Sequence, residues 1–198
     1  MGILSEIKRR WLNQEIQCRL VIKGFSHRPG VDYTETSAPV VHSSTERILL
    51  AIVANNQGYR IRQADIGAFL KGDIDAKTYM LKLPGFEESA LANNVPLLME
   101  GVYGLKQAGH IFNKKLNRLL VNTLHFTRSE ADPCLYYKQS KSGRILLISL
   151  HVVDQTFDYH EQDREQPSQI VNSLDKEFGI EDLGKISLKF LVFECGMM

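Results

Sequence analysis

The stretch Ile145-Leu-Leu-Ile-Ser-Leu-His-Val-Val-Asp-Gln155 decides how this chain is read. Ile145 to Val153 is an apolar, β-prone run with an acid, Asp154, at its tip. Asp154-Gln155 reads as the next turn, with Thr156–Tyr159 as the returning strand. A second strand-like run, Tyr59-Arg-Ile-Arg-Gln-Ala-Asp65, also ends in an acid. Two strands that each deliver an Asp to one place make a site for divalent metal and phosphate. Asp65 and Asp154 are far apart in sequence, so only the fold can bring them together. Taken alone, an Asp at a strand end is a turn residue more often than a ligand.

Outward from these strands the chain alternates between α and β signals. Arg19-Leu-Val-Ile22 reads as a strand, followed by a loop from Lys23 to Pro39 with a Pro29-Gly30 turn. Ser43-Ser-Thr-Glu46 has the spacing of a capping box. Behind it Ile48, Leu49, Ile52 and Val53 fall on one helical stripe that Gly58 stops. A loop is expected around Pro84-Gly85 and Asn93-Asn94. From Ala108 to Leu124, Phe112, Leu116, Leu119 and Leu120 line one helical face, and Lys114, Lys115 and Arg118 lie off it. Cys134-Leu-Tyr-Tyr-Lys138 and Ile145–Val153 read as strands joined at Ser140-Lys-Ser-Gly143. Ser168 is the expected cap of a last helix carrying Ile170, Val171, Leu174 and Phe178, ended by Gly179. The pattern predicts an α+β domain, with helices packed on an antiparallel-type sheet.

The 198 residues, 43% hydrophobic, suffice for one good core or two small subdomains. No apolar run approaches the roughly 20 residues of a membrane span, and the N-terminus has no secretory h-region. Glu6 breaks the myristoylation pattern. Cys18, Cys134 and Cys195 are odd in number and far apart, as expected of reduced intracellular thiols. Net charge is only +1, but it is unevenly spread. Residues 1–30 carry six Lys/Arg against two acids. Residues 101–128 carry five and none, and residues 154–182 carry two against nine. Basic segments suit a phosphate backbone, and they equally suit ordinary solvated faces.

Other chemistries lack their signatures. There is no GxGxxG, Walker-type loop or GxSxG turn. The six His form no HExxH or Cys/His pair, and His151 reads as a packed or edge histidine.

Five strings, in this order, carry a resemblance. They are Arg19-Leu-Val-Ile-Lys-Gly-Phe-Ser-His-Arg-Pro-Gly-Val-Asp-Tyr-Thr-Glu-Thr36, Gln63-Ala-Asp-Ile-Gly-Ala-Phe-Leu70, Tyr103-Gly-Leu-Lys-Gln-Ala108, Phe126-Thr-Arg-Ser-Glu-Ala-Asp-Pro-Cys-Leu-Tyr136 and Asp182-Leu-Gly184. Together they resemble the reverse transcriptase of copia-type LTR retrotransposons. The likeness runs from about Arg19 to Glu194 and leaves residues 1–18 as a poorly matching N-terminal segment. It implies a right-hand polymerase: fingers and palm over 19–198, incomplete at the C-terminus, with thumb and RNase H absent.

The implied activity is RNA-directed DNA synthesis by two-metal nucleotidyl transfer with Mg²⁺ or Mn²⁺. The implied partners are an RNA template, a DNA primer and deoxynucleoside triphosphates, in the cytoplasm, a virus-like particle or the nucleus. Asp65 and Asp154 would be the metal ligands. Arg19 and Lys23 would lie by the incoming triphosphate, Lys106 and Gln107 would line the template or nucleotide pocket, and Phe69 would be the sugar gate.

This chain departs from the family at several points. Gln155 stands where a further acid is expected, Val152 replaces a Tyr, and Gly109 replaces a Pro. The segment after Asp65 is one residue short. The resemblance therefore implies an impaired polymerase. The alternatives are a non-catalytic nucleic-acid-binding remnant and a pseudogene product.

Overall fold

The computed structural model describes residues 3–9, 16–66, 73–80, 95–151 and 154–186. The chain divides into two compact units, Met1–Ser37 with Phe69–Lys115, and Ala38–Ala68 with Leu116–Met198. The expected loop around Pro84 and Asn93, and Phe69 itself, lie outside the described residues.

In the first unit β1 (Ile3–Arg9) pairs antiparallel with β2 (Ile16–Ile22), and β4 (Asp73–Tyr79) with β5 (Leu97–Glu100). Its core joins Ile22, Leu98, Leu105 and Ala108. The end of β2 docks on the Tyr103–Lys106 loop, where Ile22 N–H donates to the Tyr103 carbonyl at 2.7 Å. This is a backbone-on-backbone approach. A Cβ at Gly104, where φ is +90°, would overlap the Ile22 carbonyl, and one at Gly24 would overlap the Gly104 carbonyl. Glycine is the residue that tolerates both the conformation and the contact. The segment after β2, with Lys23, is thereby set against the segment carrying Lys106.

Among the described residues the second unit is built on a six-stranded antiparallel sheet. Its order is β10 (Ile180–Ile186), β3 (Tyr59–Ile66), β9 (Asp154–His160), β8 (Ile145–His151), β7 (Leu135–Gln139) and β6 (Thr127–Arg128). Side chains alternate across a strand, and one face is the more uniformly buried. Ala64, Tyr136, Leu146, Ile148, Leu150, Gln155, Phe157 and Tyr159 share one face, and all are buried. Helix α3 (Glu165–Phe178) contacts β10 and β3, and Arg62, on that same face, donates to Ser168 Oγ at 2.6 Å and pairs with Asp182. Buried Ile170, Leu174 and Phe178 recur at helical spacing on α3. Burying such side chains contributes about 1.5–3 kcal/mol each.

Four local expectations need correction. Helix α1 spans Ser43–Asn55 with His42 at its N-cap and no side-chain cap bond, so the capping box does not form. Instead Asp132, distant in sequence and buried, accepts from His42 N–H and Cys134 N–H, each at 2.9 Å. Helix α2 spans Ala108–Arg118, and the expected remainder is a π turn, Leu119–Thr123. Helix α3 starts at Glu165, so Ser168 sits inside it, occupied by Arg62 rather than capping. Asp154 opens β9 rather than forming a turn. Before α3, buried Asp163 accepts from Ser140 Oγ at 2.8 Å, Ser142 N–H at 3.2 Å and Gln166 Nε2 at 2.9 Å. Burial pushes its carboxyl up, but a hydrogen bond from the Ser142 hydroxyl together with these outweighs it and holds the group below the usual range.

Candidate active site

Register places the two sequence-predicted acids side by side. Asp65, one residue from the end of β3, is the direct cross-strand partner of Asp154, the first residue of β9. Paired residues share a face with Cβ atoms about 4.5–5.5 Å apart. Both are half-buried, on the face opposite the buried apolar one.

The same rung continues on either side. Glu181 of β10 is in register with Asp65, and His151 of β8 with Asp154. His151 is exposed near the end of an interior strand, neither packed nor at a sheet edge. One rung further along lie Gln63, Thr156 and Ser149. Gln63 Nε2 donates to Asp154 Oδ1 at 3.5 Å, and the Ser149 and Thr156 hydroxyls hydrogen-bond at 2.5 Å. The next rung is Ile61, Asp158 and Leu147. Asp158 is buried, its Oδ2 has no partner among the described residues, and burial pushes its carboxyl up to about 7.

Gln155 is completely buried, in register with Ala64 and Leu150 on the apolar face. It points away from the side of the sheet that carries Asp65 and Asp154. Among the described residues no group of three or more His, Cys, Asp or Glu side chains is arranged to hold a metal ion. The two-carboxylate pair is what the sheet offers.

The remaining sequence-predicted residues belong to the first unit. Arg19 lies on β2 in register with Glu6. Lys23 precedes a 3-10 turn, Gly24–Ser26, and its carbonyl accepts from Ser26 Oγ at 2.8 Å. Lys106 is exposed, with Nζ 5.2 Å from the Tyr33 ring centroid and 3.4 Å from its hydroxyl. Gln107 is buried, and its Nε2 donates to the Asp32 carbonyl at 3.3 Å. His27 is also buried there. Burial lowers its pKa, opposed by the negative charge of Asp32 and reinforced by the positive charge of Lys106.

Gln63 and Asp158 do not stand out in the sequence as site residues. Gln63 stands two residues before Asp65, so strand alternation alone puts it on the same face. Asp158 stands four residues after Asp154, and the same rule applies.

The model of the family "Reverse transcriptase (RNA-dependent DNA polymerase)" matches residues 6–196. The chain belongs to the reverse transcriptase family. The chain is 30% identical over 169 residues to the retrovirus-related Pol polyprotein from transposon TNT 1-94 of Nicotiana tabacum, covering 85% of this chain and 12% of that protein. It is 39% identical over 139 residues to the Pol polyprotein from transposon RE2 of Arabidopsis thaliana, covering 70% and 9%. A shorter relative is the putative transposon Ty5-1 protein of Saccharomyces cerevisiae, 32% identical over 129 residues, covering 63% of this chain and 39% of that one. This reverse transcriptase chain therefore spans about a tenth of the plant polyproteins it matches. Its copia-type character, read above from five motifs, agrees with these relatives. No solved structure matches it. Among the described residues no helix is long and apolar enough to cross a membrane.

Proposed function

We propose that the second unit is the palm of an RNA-directed DNA polymerase and that Asp65 and Asp154 hold its divalent cations. The observation that carries this reading is the β3–β9 register, which sets the two acids on one partly open rung. The donor set fits the group. Mg²⁺ is commonly bound by one or two carboxylates, with waters and substrate phosphates completing its oxygen shell. When bound, such a cation activates the attacking 3′-hydroxyl and neutralises charge building on the triphosphate.

The chain's own residues do the rest. Asp65 and Asp154 supply negative charge at the sheet's open end. Lys114 and Arg118, exposed on α2, suit the phosphate backbone of a primer–template duplex. Arg19, Lys23, Lys106 and Gln107 belong, by resemblance, to the triphosphate and template side, and Phe69 to the sugar gate. The fingers and palm extend over 19–198 in this reading. Gln155 is turned into the core, so in this reading the acids of the site are Asp65 and Asp154.

Primer extension on an RNA template, with Mg²⁺ and then Mn²⁺, tests the proposal. Extension by the parent chain, lost by at least about 10–100-fold in Asp65→Asn and in Asp154→Asn, is the expected result; that range is what disturbing even outer-shell partners of a metal costs. Extension that survives both substitutions refutes it. Salt-sensitive primer–template binding without any extension favours the second reading, a non-catalytic nucleic-acid-binding remnant.

A further inference from the structure

The rung beneath the two carboxylates is polar from strand to strand: Gln63 on β3, Thr156 on β9, Ser149 on β8. Thr156 and Ser149 satisfy each other. Gln63, half-buried, is turned instead along the diagonal, with Nε2 3.5 Å from Asp154 Oδ1. Diagonal neighbours on one face of an antiparallel pair are within reach of long side chains.

We propose that Gln63 is the positioning residue for Asp154, a role that rests on the metal-site reading of Asp65 and Asp154. Two carboxylates on one rung repel each other. Left free, Asp154 would turn away from Asp65. A donor on one oxygen restrains that rotation and leaves Oδ2 for the cation. The donor has to be neutral. A Lys or Arg at position 63 would restrain Asp154 equally well, but would cancel the charge that attracts the metal. An amide restrains without neutralising. At 3.5 Å the bond is long for N–H···O, as catalytic hydrogen bonds often are before the complex forms and tightens them. Outer-shell partners of this kind typically account for about 10–100-fold in metal affinity.

The test is Mn²⁺ binding to the full chain, followed by loss of the free-ion electron paramagnetic resonance signal, with thermal melts alongside. Gln63→Met keeps the length of the side chain and removes the donor. Gln63→Ala is read in parallel, so that a packing fault in one variant cannot hide the effect. The parent chain is expected to bind Mn²⁺, and both variants to bind about 10-fold or more weakly at an unchanged melting temperature. In an Asp154→Asn background, Gln63→Met is expected to add no further loss, because the two residues act through one contact. Gln63 variants that bind Mn²⁺ as tightly as the parent overturn the positioning role and leave the metal site standing. Binding that is absent from the parent, or unchanged in Asp65→Asn and Asp154→Asn, overturns the metal site and the positioning role together.

Discussion

The stability advantage of Asp158→Asn over the parent chain grows by about 4 kcal/mol between pH 4 and pH 8. Asp158 lies in register between Ile61 and Leu147, is 2% exposed, and leaves Oδ2 without a partner among the described residues. Burial raises its carboxyl from 3.8 to about 7. At 1.36 kcal/mol per pKa unit this is about 4 kcal/mol. Between those values the folded chain holds a proton that the unfolded chain has released. Stability therefore falls as pH rises from about 4 to about 7, and stays low above that.

Asp132, Asp163 and Asp182 act in the opposite sense. Their folded carboxyls lie below the ordinary range: in Asp132 and Asp163 hydrogen bonds outweigh burial, and in Asp182 the Arg62 hydrogen bond is the largest cause. Their contributions are complete above the unfolded carboxylate range and are lost as pH falls through it. His27, lowered by burial, also costs stability as pH drops below 6.5. Subtracting the variant's pH–stability curve from the parent's isolates Asp158 from all four. Urea unfolding at six or seven pH values gives both curves. A flat difference between pH 4 and pH 8 would mean that the carboxyl is solvated or paired.

Gln155→Asp is expected to destabilise the fold by about 1–3 kcal/mol, the scale of disturbing a buried polar group, and to add no DNA synthesis. The family motif suggests the contrary, since an acid at this position would look like a repair. Geometry decides against the repair. Position 155 is completely buried between Ala64 and Leu150, on the apolar face of the sheet. A carboxylate there meets apolar neighbours and either pays desolvation or takes up a proton. A melting curve and a primer-extension assay on the same preparation separate the possibilities. Synthesis gained without loss of stability would place residue 155 at the site and refute the strand alternation described here.

Much of this architecture is legible in the residues. The β3 run shows itself as an alternating strand with an acid near its end, and the β8 run as an apolar strand, although Asp154 opens β9 instead of ending β8. The apolar faces of α1 and α3 follow from spacing, and Gly179, with φ of +69°, stops α3 as its type suggests. What the residues do not reveal is register. Whether Asp65 meets Asp154 or lies two rungs away depends on how the strands pair, and no local pattern encodes that. A one-residue slip would send either acid to the apolar face. Strand β10, Ile180-Glu-Asp-Leu-Gly-Lys-Ile186, is marked by the Asp182-Leu-Gly184 motif and not by its own pattern. It has two acids, a glycine and a bulge between Asp182 and Gly184, so no alternation survives.

The cap of α1 is likewise non-local. Ser43 and Glu46 have the right spacing, but Asp132 takes the place from 90 residues away. Asp158 is illegible because a charged residue in a polar strand reads as solvated, whereas the fold buries it. Lys23 and Lys106 stand out in the sequence through motifs alone. Their proximity depends on two glycines, Gly24 and Gly104, whose missing side chains let backbone meet backbone.

The most direct measurement of the central claim is an anomalous-difference map from crystals of the full chain grown with Mn²⁺. Density for the ion is expected on the face of the sheet that carries Asp65 and Asp154, bound by carboxylate oxygens of both, with Gln155 buried behind them. Asp65 and Asp154 carboxylates turned apart with no ion between them, or an ion bound elsewhere on the chain, would contradict that claim.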